Sequence, residues 1–130
     1  MMAPYALIVD DNAENLEALA LLLKKEGFSP IVLKSPRDIS TAVNGSTQID
    51  VVFLDLEFPN YDGMEVIGDL KTEQRLNGVP IVAYSVHTSE VNEARAAGFD
   101  SFIGKPLVVD QFPGQLRRIL TGEHVWEAGL

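Results

Sequence analysis

The stretch VVFLD, Val51 to Asp55, decides the fold. Four apolar residues run directly into an aspartate, and Pro59 ends the pattern soon afterwards. Side chains along a strand alternate between the two faces of a sheet, so a strand that is apolar at every position has to be covered on both faces. Strands of this kind are typical of parallel sheets with helices on both sides. The aspartate that ends the stretch is the feature that a buried strand alone does not explain.

Other apolar runs and helical patterns alternate with this stretch along the chain. The predicted strands are residues 5–9, 29–33, 51–55, 79–85 and 101–104. The predicted helices are residues 15–26, 35–44, 63–71, 90–97 and 110–121. Strands that alternate with helices predict an α/β fold, here a doubly wound, five-stranded parallel sheet with right-handed crossovers. Strand order 2-1-3-4-5 is a common solution, and it puts a ligand crevice at the carboxyl ends of strands 1 and 3.

Composition narrows the class of protein. The chain has 130 residues, which suits one domain, and it has no cysteine, which excludes disulfides and thiolate metal sites. Its formal net charge of −9 argues against direct nucleic-acid binding, because phosphate contacts supply most of that affinity. We see neither a signal peptide nor an apolar run long enough to span a membrane, so we expect a cytoplasmic protein without membrane contact.

Polar residues stand at the carboxyl ends of four predicted strands. Asp10 and Asp11 follow the first strand, and Asp55 ends the third. Ser85 ends the fourth strand, and Lys105 follows the fifth. Because the carboxyl ends of parallel strands meet at one edge of the sheet, these five side chains are expected to form one cluster.

The carboxylates of the cluster predict a divalent cation. Carboxylates that converge in one pocket repel one another and have raised pKa values unless a cation is present. Mg²⁺ suits a few carboxylates together with water and a substrate phosphate, and Glu57 could add a further oxygen. Each residue also has a plainer interpretation: Asp10 and Asp11 as a helix N-cap, and Asp55 as the polar end of a strand.

Lys105 and Ser85 extend this chemistry to phosphate. An ammonium group neutralises a phosphoryl oxygen, and a hydroxyl donates a hydrogen bond to another. An aspartate can act as the nucleophile and form an aspartyl-phosphate, in a reaction that depends mainly on positioning and charge stabilisation. A surface turn at Lys105 and a simple strand-ending hydroxyl at Ser85 remain the alternatives.

Four motifs as a set resemble the receiver domains of two-component response regulators. They are LIVDDN (7–12), VVFLDLEFPNYDG (51–63), PIVAYS (80–85) and AAGFDSFIGKP (96–106). The resemblance covers roughly residues 5–120 and implies the flavodoxin-like (βα)5 receiver fold. It implies a stand-alone receiver domain, which we place at residues 1–122. In the short C-terminal tail, 123–130, we expect Val125 and Trp126 to pack on the body or to contact a partner.

The resemblance implies roles for the acidic residues. Asp55 matches the phospho-acceptor that attacks the phosphohistidine of a histidine kinase or histidine phosphotransferase. Asp10 and Asp11 match the acidic pair of the Mg²⁺ site, to which Asp55 and the backbone carbonyl of Glu57 also contribute. Glu57 and His87 occupy positions that tune dephosphorylation in the family.

The resemblance also implies a switch. Ser85 and Lys105 match the hydroxyl and the lysine that contact the phosphoryl group, and Phe102 matches the switch aromatic residue. Phosphorylation would then repack the face made by the fourth helix, the fifth strand and the fifth helix, where a downstream protein binds and where a homodimer could form. The Lys105–Pro106 peptide bond is expected to be cis.

Three other functions stay open. A Mg²⁺-dependent phosphatase would also use an aspartyl nucleophile, but usually has an aspartate where this chain has Glu57. A flavodoxin-like electron carrier would need a phosphate loop rich in glycine and hydroxyl residues after the first strand, where this chain has Asp10 and Asp11. The third is a receiver fold that serves only as a constitutive interaction domain.

Overall fold

A computed structural model describes residues 4–45, 48–57 and 61–127 of the chain. In these residues the strands are β1 (Tyr5–Val9), β2 (Ser29–Leu33), β3 (Val51–Asp55), β4 (Ile81–Ser85), β5 (Ser101–Gly104) and β6 (Trp126–Glu127). The α-helices are α1 (Ala13–Lys25), α2 (Ile39–Val43), α3 (Gly63–Lys71), α4 (Val91–Ala97) and α5 (Phe112–Leu120). Short 3-10 turns lie at Pro36–Asp38, Gln74–Leu76 and Thr88–Glu90. None of the helices in these ranges combines the length and the apolar character that a membrane crossing requires.

The strands form one parallel sheet in the order β2-β1-β3-β4-β5-β6. The predicted order of the first five strands is therefore confirmed, and a short sixth strand is added beside β5. The order reverses between β1 and β3, and this switch point opens a crevice at the carboxyl ends of the strands.

The alternation of side chains in β3 explains why its sequence is apolar throughout. Val51 and Phe53 pack in a core with residues of α1 and α5. Val52 and Leu54 pack on the opposite face, in a core with residues of α2, α3 and α4. All four side chains are buried, so the strand is covered on both faces as predicted.

Helices α1 and α5 begin at other residues than predicted. Helix α1 begins at Ala13 because the side chain of Asn12 accepts a hydrogen bond from the Asn15 amide at 3.0 Å. The N-cap is thus Asn12, and the N-cap interpretation of Asp10 and Asp11 was wrong. Helix α5 begins at Phe112, two residues later than predicted, with Pro113 in its first turn, where a missing N–H costs no intrahelical hydrogen bond.

The C-terminal tail packs against the sheet. Val125 is fully buried, and its carbonyl accepts a hydrogen bond from the Phe102 amide at 2.7 Å. Trp126 is half-buried, and the guanidinium of Arg95 in α4 lies 4.5 Å from the centroid of its ring. The predicted packing of Val125 and Trp126 on the body is confirmed, and the last residues of the tail, 128–130, lie outside the described residues.

Candidate functional site

The carboxyl ends of four strands bring the predicted residues into one crevice. Asp10 follows β1, Asp55 ends β3 and Ser85 ends β4, and all three are buried. Lys105 directly follows β5, and its amide donates a hydrogen bond to the Ser85 carbonyl at 2.9 Å. Asp11 lies at the exposed mouth of the same crevice. The topology therefore gathers residues that are far apart in sequence, as the crevice rule predicts.

The ammonium group of Lys105 is the electrostatic centre of the crevice. Its Nζ lies 2.7 Å from Asp55 Oδ1, 3.5 Å from Asp10 Oδ2 and 3.7 Å from Glu57 Oε2. The Lys105, Asp10 and Asp55 side chains are at most 8% exposed, so their charges interact with little solvent screening, whereas the Glu57 side chain is 28% exposed. The peptide bond between Lys105 and Pro106 is cis, which confirms that expectation.

One cation does not balance these acids. Burial, a hydrogen bond with Glu57 and the charge of Asp10 raise the pKa of Asp55 to about 8, although Lys105 opposes this rise. Desolvation and like charges both favour the neutral carboxyl group, which explains the direction. A further cation would therefore reduce the repulsion between these carboxylates.

Three carboxylates are placed to hold such a cation. Asp10, Asp11 and Asp55 each offer one oxygen atom, and these atoms all lie within 4.8 Å of one another. Asp10 Oδ1 accepts a hydrogen bond from the Asn12 amide at 2.9 Å, which fixes one side of that carboxylate. The donor set consists of oxygen atoms, as a hard divalent ion such as Mg²⁺ requires, so these residues fit the ion that the sequence predicts.

Glu57 engages the donors on the outer side of the crevice. Glu57 Oε1 accepts hydrogen bonds from the Ser85 hydroxyl and, at 3.1 Å, from the Val86 amide. His87 Nε2 lies 4.0 Å from the same oxygen. Burial would raise the pKa of Glu57, but hydrogen bonds from Asp55 and Ser85 hold it below its ordinary value. Glu57 is therefore anionic at neutral pH. Its carboxylate accepts the hydrogen bond of the Ser85 hydroxyl, which the resemblance predicts to contact a phosphoryl group.

Tyr84 is a residue of the crevice that the sequence did not reveal. Its hydroxyl donates a hydrogen bond to Asp10 Oδ2 at 2.5 Å, and Lys105 Nζ lies 4.4 Å from the centroid of its ring. Burial and the Asp10 carboxylate raise the pKa of Tyr84 above its ordinary value, so the hydroxyl keeps its proton. In PIVAYS the tyrosine looks like one more apolar strand residue, because nothing in the local pattern shows that its hydroxyl reaches Asp10.

Phe102 lies away from the crevice, within the core on the α4 side of the sheet. It is fully buried in β5, and it pairs in register with Trp126 of β6. The Phe102 side chain thus lies close to the predicted α4–β5–α5 face. On the side of β5 that faces away from β4, the strand pairs with β6 of the C-terminal tail.

Comparison with known proteins agrees with this architecture. A hybrid signal transduction histidine kinase (A) of Dictyostelium discoideum is 33% identical over 109 residues, which are 80% of this chain and 5% of that protein. The DNA-binding response regulator MtrA of Mycobacterium leprae is 33% identical over 118 residues, which are 89% of this chain and 51% of that protein. The chain thus spans at most about half the length of these relatives.

A solved structure shows the same fold at low sequence identity. The receiver domain of a sensor histidine kinase from Pseudomonas aeruginosa, solved with a magnesium ion coordinated in its active-site cleft, superposes with a TM-score of 0.79. It is 18% identical, and the alignment covers 92% of this chain and 99% of that domain. The sequence model of the family described as the response regulator receiver domain matches residues 6–117. The chain therefore belongs to the family of response regulator receiver domains.

Proposed function

We propose that this receiver accepts a phosphoryl group on Asp55 from the phosphohistidine of a histidine kinase or histidine phosphotransferase, with Mg²⁺ as cofactor. The observation that carries the proposal is the convergence of three aspartates with Lys105 at the carboxyl ends of neighbouring strands. Mg²⁺, held by Asp10, Asp11, Asp55 and the Glu57 backbone carbonyl, would supply positive charge to the transferring phosphoryl oxygens. The magnesium ion in the cleft of the Pseudomonas aeruginosa receiver supports this choice.

The chemical step is a transfer between two nucleophiles. An ionised oxygen of Asp55 forms a bond to phosphorus while the bond from phosphorus to the histidine nitrogen breaks, and that nitrogen keeps the electron pair. Lys105 Nζ, 2.7 Å from Asp55 Oδ1, favours the ionised carboxylate and then neutralises a phosphoryl oxygen. The Ser85 hydroxyl donates a hydrogen bond to another phosphoryl oxygen.

Glu57 gives the site an acid that competes with the phosphoryl group. Its carboxylate accepts hydrogen bonds from Ser85 and Val86, which are donors that an incoming phosphoryl oxygen would need. The Glu57 side chain therefore has to release these donors before Ser85 turns toward phosphorylated Asp55. This exchange would make Glu57, with His87 beside it, a determinant of how fast the phosphoryl group is gained and lost.

The output is a change of the α4–β5–α5 face. The new phosphoryl group adds about −1.5 to −2 charge, which draws Ser85 inward and allows Phe102 to repack. A downstream protein, or a second copy of the chain on phosphorylation, would bind there. The net charge of −9 supports a protein partner rather than nucleic acid. We propose that the phosphoryl transfer takes place in the cytoplasm.

The test is incorporation of phosphoryl from acetyl phosphate or phosphoramidate with Mg²⁺, followed by mass spectrometry. We expect one acid-labile phosphoryl group per wild-type chain and none in Asp55→Asn. Asp69→Asn, an exposed aspartate of α3, is the matched control and should be phosphorylated like the wild type. Incorporation that persists in Asp55→Asn would contradict the assignment.

The same samples separate the other functions. Repeated turnover of small phosphate esters would indicate a phosphatase, although membership of the receiver family argues against it and against an electron carrier. A constitutive interaction domain would bind its partner equally well with and without phosphorylation. Phosphotransfer profiling identifies the kinase among the candidates. Pull-down with the phosphorylated and the unphosphorylated form then measures whether partner binding depends on phosphorylation.

A further inference from the structure

Tyr84 lies near the carboxyl end of β4, beside the crevice. It directly precedes Ser85 in β4, and its side chain is 1% exposed, with its ring in the core beside α1 and α5. The ring contacts Phe53 of β3 edge to face, with centroids 6.5 Å apart and an interplanar angle of 88°. This packing fixes the plane of the ring and directs its hydroxyl toward the crevice.

The hydroxyl of Tyr84 completes the hydrogen bonding of Asp10. Asp10 Oδ1 accepts from the Asn12 amide at 2.9 Å, and Asp10 Oδ2 accepts from Tyr84 at 2.5 Å. Lys105 Nζ lies 3.5 Å from Oδ2 as well. Both oxygens of a fully buried carboxylate are therefore held from directions that a loop main chain and a core aromatic residue determine. Such a carboxylate has little freedom to turn.

The ring of Tyr84 also acts on Lys105. The Nζ atom lies 4.4 Å from the ring centroid, within the range of a cation–π interaction. The same ammonium is 2.7 Å from Asp55 Oδ1. The ring thus forms one wall of the space that Lys105 occupies, and the carboxylates form the other.

We infer that Tyr84 is a positioning residue of the phosphorylation site: its hydroxyl orients Asp10 toward the divalent cation, and its ring orients Lys105 toward the phosphoryl group. The inference rests on the proposed function, because it assigns Tyr84 to the same site. Groups that hydrogen-bond a metal-ligating carboxylate typically change metal affinity 10–100-fold when they are removed. A tyrosine that served only as core packing would change the stability of the fold and leave the cation affinity as it is.

Tyr84→Phe tests the hydroxyl, because it deletes one oxygen and keeps the ring. Mg²⁺ affinity is measured by isothermal titration calorimetry, and Mn²⁺ affinity by the electron paramagnetic resonance signal of the free ion. We expect the dissociation constants to rise about 10-fold. Tyr5→Phe is the matched control, because Tyr5 begins β1 and so lies at the amino end of that strand, away from the crevice at the carboxyl ends, and it should bind both ions like the wild type. Phosphorylation of Tyr84→Phe by acetyl phosphate should recover when Mg²⁺ is raised to saturation.

The ring is tested by a spectroscopic measurement that needs no destabilising variant. Protons on the Lys105 side chain next to Nζ should show upfield ring-current shifts by NMR in both the wild type and Tyr84→Phe. Absence of these shifts overturns the role of the ring. Unchanged cation affinity in Tyr84→Phe overturns the role of the hydroxyl, provided that the wild type binds Mg²⁺ and is phosphorylated. A wild type that does neither would overturn the proposed function, and the positioning role with it.

Discussion

Two sides of one crevice differ in how far their residues are exposed to solvent. The inner wall consists of Asp10, Asp55, Tyr84 and Lys105. The outer rim consists of Asp11, Glu57, Val86 and His87. Asp10 and Asp55 are 0% and 2% exposed, and the Lys105 side chain 8%, whereas Glu57 and His87 have side chains that are 28% and 62% exposed. The inner wall is formed by residues at strand ends, and the outer rim by the loops that follow them.

The difference in burial assigns different tasks to the two sides. Charges on the inner wall interact in a low effective dielectric, so each depends strongly on its partners. Charges on the outer rim are screened by water and ions, so a single pair there contributes little. We therefore expect the inner wall to determine whether phosphoryl transfer occurs at all, and the outer rim to adjust its rate.

The strongest test of this comparison is Lys105→Ala. Removal of the ammonium leaves Asp55 and Asp10 without their shared cation and, in the proposed mechanism, leaves the phosphoryl group without a charge-stabilising donor. Loss of one such preorganised donor typically lowers a rate constant about 100-fold or more. We expect a decrease of that order in the initial rate of phosphorylation by acetyl phosphate at saturating Mg²⁺, measured on a Phos-tag gel or by mass spectrometry.

Lys71→Ala provides the control for the loss of a lysine. Lys71 pairs with Asp100 at 3.6 Å on the surface, away from the crevice, and its side chain is 44% exposed. Its replacement should leave the rate within about twofold of the wild type. A Lys105→Ala rate as high as that of Lys71→Ala would remove the distinction between the inner wall and the surface.

The inner wall also predicts how stability depends on pH. The pKa of Asp55 is raised to about 8, from an ordinary value of 3.8. The protonated form of Asp55 is thus favoured in the folded state. The stability that this preference adds is fully present below the ordinary pKa and is lost as pH rises toward 8. We expect the free energy of unfolding of the metal-free protein to fall between pH 5 and pH 8, by at most about 1.4 kcal/mol per pH unit. Urea denaturation in EDTA measures it.

Asp55→Asn should flatten this pH dependence, because an amide does not titrate. Glu57 does not produce this fall, because a pKa that is lowered in the folded state makes stability rise, not fall, as pH increases. Mg²⁺ favours the ionised aspartate and should also flatten the slope in the wild type. A slope that is equally steep in Asp55→Asn would show that another group titrates.

The sequence predicted most residues of the inner wall, but not all of the contacts between them. Asp10, Asp55 and Lys105 follow from topology alone, because the carboxyl ends of parallel strands meet at one edge. The hydrogen bond between Tyr84 and Asp10 joins residues 74 positions apart in sequence, and the local apolar pattern of β4 conceals it. A side chain that is both core and polar gives no periodic signal that distinguishes its two roles.

The outer edge of the sheet was the least predictable part of the fold. Strand β6 has only two residues, too few for an alternating pattern to be recognised. It forms because Val125 is buried and the Phe102 amide donates to the Val125 carbonyl, and both contacts depend on the folded body. The sequence indicated that Val125 and Trp126 would pack, but not that they would extend the sheet.

The smallest expected effect tests the outer rim through Glu57→Gln. The variant keeps an oxygen that can accept hydrogen bonds from Ser85 and Val86, but it removes the negative charge that would repel an incoming phosphoryl group in the proposed mechanism. Because the Glu57 side chain is partly exposed, solvent screens this repulsion, and we expect the phosphorylation rate to rise only about threefold. Stopped-flow or quenched assays with phosphoramidate measure the rate, with Glu93→Gln, an exposed acid of α4, as the control for net charge. An increase as large as the decrease in Lys105→Ala would place Glu57 with the inner wall, and equal rates in Glu57→Gln and Glu93→Gln would show that its carboxylate does not hinder the phosphoryl group.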